Sequence, residues 1–356
     1  MSRSLVTVTL LLTALLLSSG CMSAPSTGDE QQETVSIVDA VGREVQVPTT
    51  IDKVVSLGPD STRILVALGD KEKIVGVDGY SKLCPIIKKI YPEVTSVSDL
   101  GNPFQGTLSI EKIAEADPDV VFIRGNNIDI ADKIQNEMGI PTVCIYATVH
   151  DYDDFLLTID VIGKTMGKEQ QAKDIEHYVD SKFKQIIAVS SEIPDAEKPV
   201  VLIVNQPHTK DPLTVMPSIH PSTLQYAGGK NAAAGVGASP GGSPWRTVSL
   251  EQLAQWSPDY ILIHGMGQLS PEELMANTDW QELKAIKEKK VGKVFIGYVG
   301  YDPALLVVQT LHMAKILHPD KFDFDFEQDA NDVFEVIYGV DGVYSALEDE
   351  LGLSKV

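Results

Sequence analysis

Short apolar, largely β-branched runs recur along the chain, each followed by a stretch in which apolar residues return every three or four positions. KVVSL (53–57), KIVGV (73–77), DVVFI (119–123) and PTVCIYA (141–147) read as strands, with STRILVALG and SIEKIAEA as helices between them. A second series follows in VVLIV (200–204), YILIH (260–264) and KVFIGY (293–298), with helices near 249–256 and 303–317. Such alternation predicts parallel sheets covered by helices, because a parallel pair needs a crossover long enough to hold a helix.

Between the two series lies FLLTIDVIGKTMGKEQQAKDIEHYVDSKFKQIIAVSSEI, with helical spacing of Ile, Val and Phe and no proline before Pro194. It predicts one long helix or a helix pair crossing between two lobes, a stiff connection that permits a small opening angle. The length of 356 residues also exceeds one typical core. The expected architecture is α/β: two three-layer α/β lobes with mainly parallel sheets, at 35–150 and 194–356, joined by a long α-helical backbone at 151–193. KFDFDFEQDANDVFEVIYGV (321–340) reads as a closing element packed on the second lobe.

The N-terminus departs from this pattern. MSRSLVTVTLLLTALLLSSGC places Arg3 before an apolar run from Leu5 to Leu17 and small residues before Cys21, the layout of an export signal. The run falls short of the roughly 20 residues a spanning helix needs. Residues 1–21 are similar to a lipoprotein signal with Cys21 as the lipidated residue, although Ser18 stands where an aliphatic residue is usual; simple cleavage and release is the alternative. Residues 22–34, polar and containing Pro, Gly and Ser, read as a flexible tether to a membrane anchor.

Fifty acidic against 29 basic residues give a net charge of −21, which repels phosphate backbones and excludes nucleic acid as a partner. Only Cys84 and Cys144 follow Cys21; the apolar setting of Cys144 favours a buried thiol over a bridge.

LSIEKIAEADPDVVFI (108–123) and VSLEQLAQWSPDYILI (248–263) are near copies, one in each lobe. Ser109 and Ser249 suit helix N-caps, and Pro118 and Pro258 end the helix and turn the chain into a strand. Glu111 and Glu251 fall in the positive first turn, where a carboxylate compensates the helix dipole. Trp256, inside the second copy's helix, is expected in the core.

From VDAVGREVQVP (38–48) to LHPDKF (317–322), with KVVSLGPDSTRILVALGDKEKIVGVDGYS and the paired E-K-I-A-E-A-D-P-D and E-Q-L-A-Q-W-S-P-D segments between, the chain resembles the solute-binding proteins of ABC importers for iron chelates, haem and corrinoids. The resemblance implies an exported, monomeric, class III periplasmic-binding-protein-like receptor that hands a small-molecule metal chelate to an ABC permease dimer with its ATPase subunits. In that family a glutamate on each lobe docks into the permease, and Glu111 and Glu251 fall on those positions. The ligand implied is a ferric siderophore or ferric citrate, with corrinoid (cobalamin) or haem as alternatives, and a ligand-sensing surface protein without transport as a further one.

In such a fold the ligand lies between loops at the C-terminal ends of the strands. Those loops hold Tyr80, Phe104 and Arg124 on the first lobe, and His208, Trp245, Arg246, His264, Tyr298 and Tyr301 on the second. Aromatic walls and cationic donors suit a metal chelate. Arg124 is the leading charged candidate, or else pairs with a nearby acid such as Asp129; Trp245 and Tyr80 are the leading wall candidates, or else ordinary packing residues. Arg63 stands where several relatives carry an acid, which either marks an anionic ligand or points into solvent.

GVGASPGGSPWRT (235–247) lacks the Lys-Ser/Thr of a phosphate loop and any dinucleotide fingerprint, and reads as a loop over the cleft. The seven histidines show no metal-ligand spacing, and neither GxSxG nor a carboxylate pair points to hydrolysis. No enzyme activity, cofactor or bound bare metal is expected. His208, His264 or Tyr298 remain possible additions to the metal shell of a chelate.

Overall fold

A computed structural model describes residues 33–146, 152–205, 214–215, 221–236, 246–265, 267, 269–295 and 303–356. It opens with an antiparallel hairpin, Thr34–Val38 and Glu44–Pro48. Asp39 ties the hairpin to the first lobe, accepting from Arg43 Nε at 2.9 Å and from the Cys144 amide at 3.1 Å.

The first sheet runs, in spatial order, Ser98–Asp99, Ile74–Val77, Val54–Ser56, Val120–Arg124, Thr142–Ile145, every pair parallel. The chain moves outward on one side of Val54–Ser56, then returns to fill the other. Its direction of travel therefore reverses between Val54–Ser56 and Val120–Arg124, and at such a switch point the loops part and leave a crevice. The second sheet repeats the plan with Val200–Asn205, Tyr260–His264 and Val291–Val294 in parallel. Thr214–Val215 and then Arg246–Thr247 extend it antiparallel, and Lys230–Asn231 pairs with the start of Val200–Asn205.

The central helical segment is a pair, Tyr152–Thr165 and Glu169–Ser190. Gly167 turns between them at φ 65°. Gly163 lets them approach, since a Cβ there would lie 2.7 Å from the Ala172 Cβ.

Alternation along the strands divides the apolar residues into three cores. Val54, Val120 and Phe122 of the first sheet share one continuous cluster with Val201, Ile203, Leu262 and Val294 of the second, filled by the helix pair and by Pro303–Leu317, which is buried on nearly every side. Val55, Val121 and Ile123 point to a separate outer core of the first lobe. Leu202, Val204, Ile261 and Ile263 do the same in the second.

The closing element departs from expectation. The helix Phe326–Tyr338 packs on Pro303–Leu317 but also touches Pro59–Ala67 of the first lobe, and Val343–Leu351 packs on Pro85–Ile90. A Lys89–Glu350 ion pair at 3.3 Å joins the same surfaces. The acidic alternation gave one apolar stripe; which lobe it would cover was a tertiary decision. Cys84 and Cys144 are buried free thiols. Among the described residues no helix is long and apolar enough to cross a membrane.

Candidate functional site

The two copies of the repeated segment fold alike. In the helices Ile110–Ala116 and Leu250–Trp256, Ser109 Oγ accepts the Lys112 amide and Ser249 Oγ accepts the Gln252 amide, both at 3.2 Å. Each helix ends on a left-handed residue, Asp117 at φ 47° and Ser257 at φ 43°, before its proline. The aspartate after the proline does more than turn the chain. Asp119 Oδ2 accepts the Asp52 and Lys53 amides at 2.8 and 2.9 Å, and Asp259 Oδ2 accepts the Val200 amide at 2.7 Å. Each carboxylate thus pins the start of the neighbouring central strand. Glu111 and Glu251 are exposed. Their carboxyls sit below the usual range because each accepts from its own backbone N–H and from the capping serine. Trp256, expected in the core, is partly buried against the outer core of the second lobe.

The helices run back along the strands, so Glu111 and Glu251 start at the edge where the strands end, the edge that also carries the switch points. On the first lobe this edge brings together three sequence-predicted residues. Asp78 caps the short helix carrying Tyr80, accepting the Tyr80 and Ser81 amides at 3.1 Å. Asn102 caps the turn carrying Phe104, accepting the Phe104 amide at 2.8 Å. Tyr80 and Phe104 then meet with ring centroids 6.4 Å apart, and Gln105 Nε2 donates to the Tyr80 hydroxyl at 3.2 Å. Arg124 ends its strand with the guanidinium 5.0 Å from the centroid of Phe104 and 5.5 Å from that of Tyr146.

The partner of Arg124 is Asp60 rather than Asp129. Arg124 Nε donates to Asp60 Oδ2 at 2.8 Å, and the Tyr146 hydroxyl donates to the same oxygen. Asp60 is fully buried, while 12% of the Arg124 side chain stays exposed. Burial works against the guanidinium charge, but Asp60 and Tyr146 outweigh it and hold the group protonated beyond its ordinary range. Gly58 is what admits this arrangement, because a Cβ there would stand 2.4 Å from Asp60 Oδ1. Arg63, for which an anion-binding and a solvent-exposed role both stood open, takes neither. It is completely buried, and its Nη1 donates to Cys84 Sγ at 3.5 Å.

A chain of buried hydroxyls braces these loops. Ser56 Oγ lies 2.7 Å from Ser61 Oγ and 2.8 Å from Thr62 Oγ1; Thr62 Oγ1 lies 3.1 Å from Ser81 Oγ, which donates to Asp78 Oδ1 at 2.5 Å. Burial pushes the Asp78 carboxyl up to about 6, against the pull of its Ser81 and Tyr80 hydrogen bonds.

On the second lobe, His264 stands where Arg124 stands on the first, at the end of its strand. It is buried, and burial with the nearby Lys293 lowers the imidazole to about 3, leaving it neutral. Across the switch point Asn205 ends its strand with Oδ1 buried and without a partner among the described residues. Gly267 closes on both, its amide donating to the His264 carbonyl at 2.7 Å. Arg246 is half-buried on the antiparallel edge strand. His208, Trp245, Tyr298, Tyr301 and Cys21 lie outside the described residues, as does the glycine-rich loop from 237 to 245. Among the described residues no His, Cys, Asp and Glu group has the arrangement of a metal site.

Asp60, Tyr146, Asp78 and Asn205 were not singled out from the sequence. Asp60 had a signal in its position, two residues after Gly58 at the end of a strand. Tyr146 read as one more residue of an apolar strand, and only the register pairing Arg124 with Ile145 puts it beside the guanidinium.

Comparison with known proteins agrees with this geometry. The family model described as periplasmic binding protein matches residues 54–293. The chain is 26% identical over 332 residues to an uncharacterized ABC transporter substrate-binding lipoprotein, YvrC of Bacillus subtilis, covering 90% of this chain and 98% of that one. It is 26% identical over 329 residues to the molybdate-binding protein MolA of Haemophilus influenzae, covering 85% and 90%. The crystal structure of a periplasmic solute binding protein from Veillonella parvula superposes with a TM-score of 0.73 at 25% identity, covering 89% and 96%. With a matched model spanning more than half its length, two mainly parallel sheets and paired switch points, this chain belongs to the periplasmic binding protein family, the solute-binding proteins of ABC importers.

Proposed function

We propose that the chain captures a metal chelate between its lobes, a ferric siderophore or a corrinoid, and delivers it to an ABC permease. The observation that carries this reading is the guanidinium of Arg124 at the switch point, set against Phe104 and Tyr146 with Tyr80 alongside. Flat apolar edges around one fixed donor suit a rigid chelate that presents both ring or ligand-frame surface and peripheral oxygens. A second reading, an oxyanion, is favoured by the similarity to the molybdate-binding protein. Export and lipidation at Cys21 belong to the same proposal, with the YvrC lipoprotein as the supporting relative.

Glu111 and Glu251 are the proposed docking groups. What supports them is their exposure, their identical place on two like helices, and their low carboxyl pKa, which keeps both charged. A two-fold permease offers one half-site to each.

Two measurements test the proposal. Titrating the protein with ferric siderophores, ferric citrate, cobalamin, haem and molybdate in parallel should give saturable binding for a chelate; binding of molybdate alone would select the second reading. In vesicles carrying the cognate permease, Glu111→Ala with Glu251→Ala should abolish uptake while leaving ligand affinity unchanged and lowering the unfolding midpoint only slightly. Uptake that survives the double change removes the docking role, and a tight ligand with no uptake under any condition points to a surface sensor.

A further inference from the structure

The Asp60–Arg124 pair is a fork with one arm closed. A guanidinium and a carboxylate normally meet through two parallel hydrogen bonds, Nε and Nη2 on one side and both oxygens on the other. Here Nε reaches Oδ2 at 2.8 Å, yet Arg124 Nη2 and Asp60 Oδ1 are both buried without a partner among the described residues. A buried donor and a buried acceptor left open on one ion pair ask for a group that accepts one hydrogen bond and gives another.

Charge points the same way. Among the described residues, Asp60, Asp78 and Arg63 are fully buried and Arg124 is nearly so, two groups of each sign behind this edge of the first lobe. These charges act on one another: Asp60 on Arg124, Arg63 on Arg124, and Asp60 on Asp78. Arg124 therefore does not bring an uncompensated positive charge to a ligand. At the matching strand end of the second lobe His264 is neutral, with Lys293 nearby, and the Asn205 amide oxygen has no partner among the described residues.

We propose that the half-closed Asp60–Arg124 fork is a specificity device that accepts a ligand edge made of carboxamide or hydroxyl groups and rejects one made of free carboxylates. A carboxamide admitted between the two side chains, which must part to expose these buried atoms, accepts from Nη2 and donates to Oδ1. A carboxylate can only accept, and it sets a second negative charge beside Asp60. The inference rests on the solute-binding reading of the cleft and narrows its ligand class: among metal chelates it ranks uncharged-edge frames such as amide-bearing corrins and ferric trihydroxamates above ferric citrate. Through its Oδ2 contact with Arg124 Nε, Asp60 also positions the guanidinium.

The test compares neutral and anionic members of two frames on the full chain in detergent micelles: dicyanocobinamide against dicyanocobyrinic acid, and a neutral ferric trihydroxamate against a ferric trihydroxamate bearing free carboxylates. In whichever frame binds, the neutral member should bind tighter by about tenfold or more, since a like charge at a desolvated contact is strongly disfavoured. Asp60→Asn should reverse that preference, and the double change Asp60→Asn with Arg124→Gln, which removes both charges of the fork, should abolish it. An anionic member that binds as well as or better than its neutral twin overturns the specificity inference while leaving the chelate receptor intact. If no chelate in either frame binds, the chelate reading of the cleft falls, and this inference with it. A preference untouched by Asp60→Asn, in a variant whose circular dichroism matches the parent, removes Asp60 as its origin.

Discussion

The ends of two strands, Val120–Arg124 and Tyr260–His264, are the most instructive pair of regions in this molecule. The chain approaches them in the same way in both lobes: a serine cap, a short helix, a left-handed residue before proline, and an aspartate that fastens the next strand. At the strand ends themselves the chemistry is opposite. Arg124 keeps its charge by pairing with buried Asp60, whereas His264 is buried neutral. The frame is held by side-chain hydrogen bonds to the backbone that any solute receptor of this plan needs, while the residue at the strand end is free to differ between the lobes.

The contrast is tested most severely by removing the charge on one side. Arg124→Met should cost about 3–5 kcal/mol in urea unfolding, because it strands the Asp60 carboxylate in the interior. His264→Leu strands no charge and should cost only about 1–2 kcal/mol. Equal costs would mean that the two strand ends are energetically alike after all. Gly58→Ala attacks the same pair indirectly, since the added Cβ would stand 2.4 Å from Asp60 Oδ1. It should destabilise by about 1–3 kcal/mol through the forced shift; combined with Asp60→Ala, the added loss should vanish.

Acid separates the lobes by sign. His264 is lowered from 6.5 to about 3, so the unfolded chain binds its proton first, and the stability this group lends above pH 6.5 is lost as pH falls towards 3. Asp78 is raised from 3.8 to about 6, so its contribution is full below 3.8 and is lost as pH rises through about 6. Between pH 6 and 4 the two oppose each other. Urea midpoints over that range should fall less steeply in His264→Gln than in the parent, and more steeply in Asp78→Asn; the same slope in all three would show that neither group titrates as its burial implies. The smallest effect concerns the turn that the lobes share. Ser257→Gly relieves a left-handed φ of 43° and should add about 1 kcal/mol of stability, with Asp117→Gly gaining less because it also gives up the Lys53 ion pair at 3.0 Å.

Much of this frame was legible along the chain. Runs such as DVVFI and YILIH are apolar on both faces, and that suffices to mark central parallel strands. Ser109, Ser249 and the two Pro-Asp pairs announced the turns they make, because capping and proline geometry are local. The site was less legible. Tyr80, Phe104 and Arg124 were recognised from their loops, but the acid considered for Arg124 was the neighbouring Asp129, because Asp60, its partner, lies 64 positions earlier. Arg63 looked like a surface or ligand residue and is instead interior, beside Cys84. Tyr146 was hidden within an apolar run.

Sequence alone determined the local and periodic features: two α/β series, a helical connection between them, a repeated cap and stop, and a glutamate in each first turn. These depend on hydrogen bonds and burial patterns that close within a few residues. Only the tertiary structure decided which charges meet. It broke the connecting segment at Gly167 into two helices and laid the C-terminal helices against both lobes. By bringing Asp60, Tyr146 and Arg124 together across adjacent strands, it turned a cation into half of a buried, neutral pair. The sign a ligand meets in the cleft depends on desolvation and on partners distant in sequence, and neither can be read from one residue's identity.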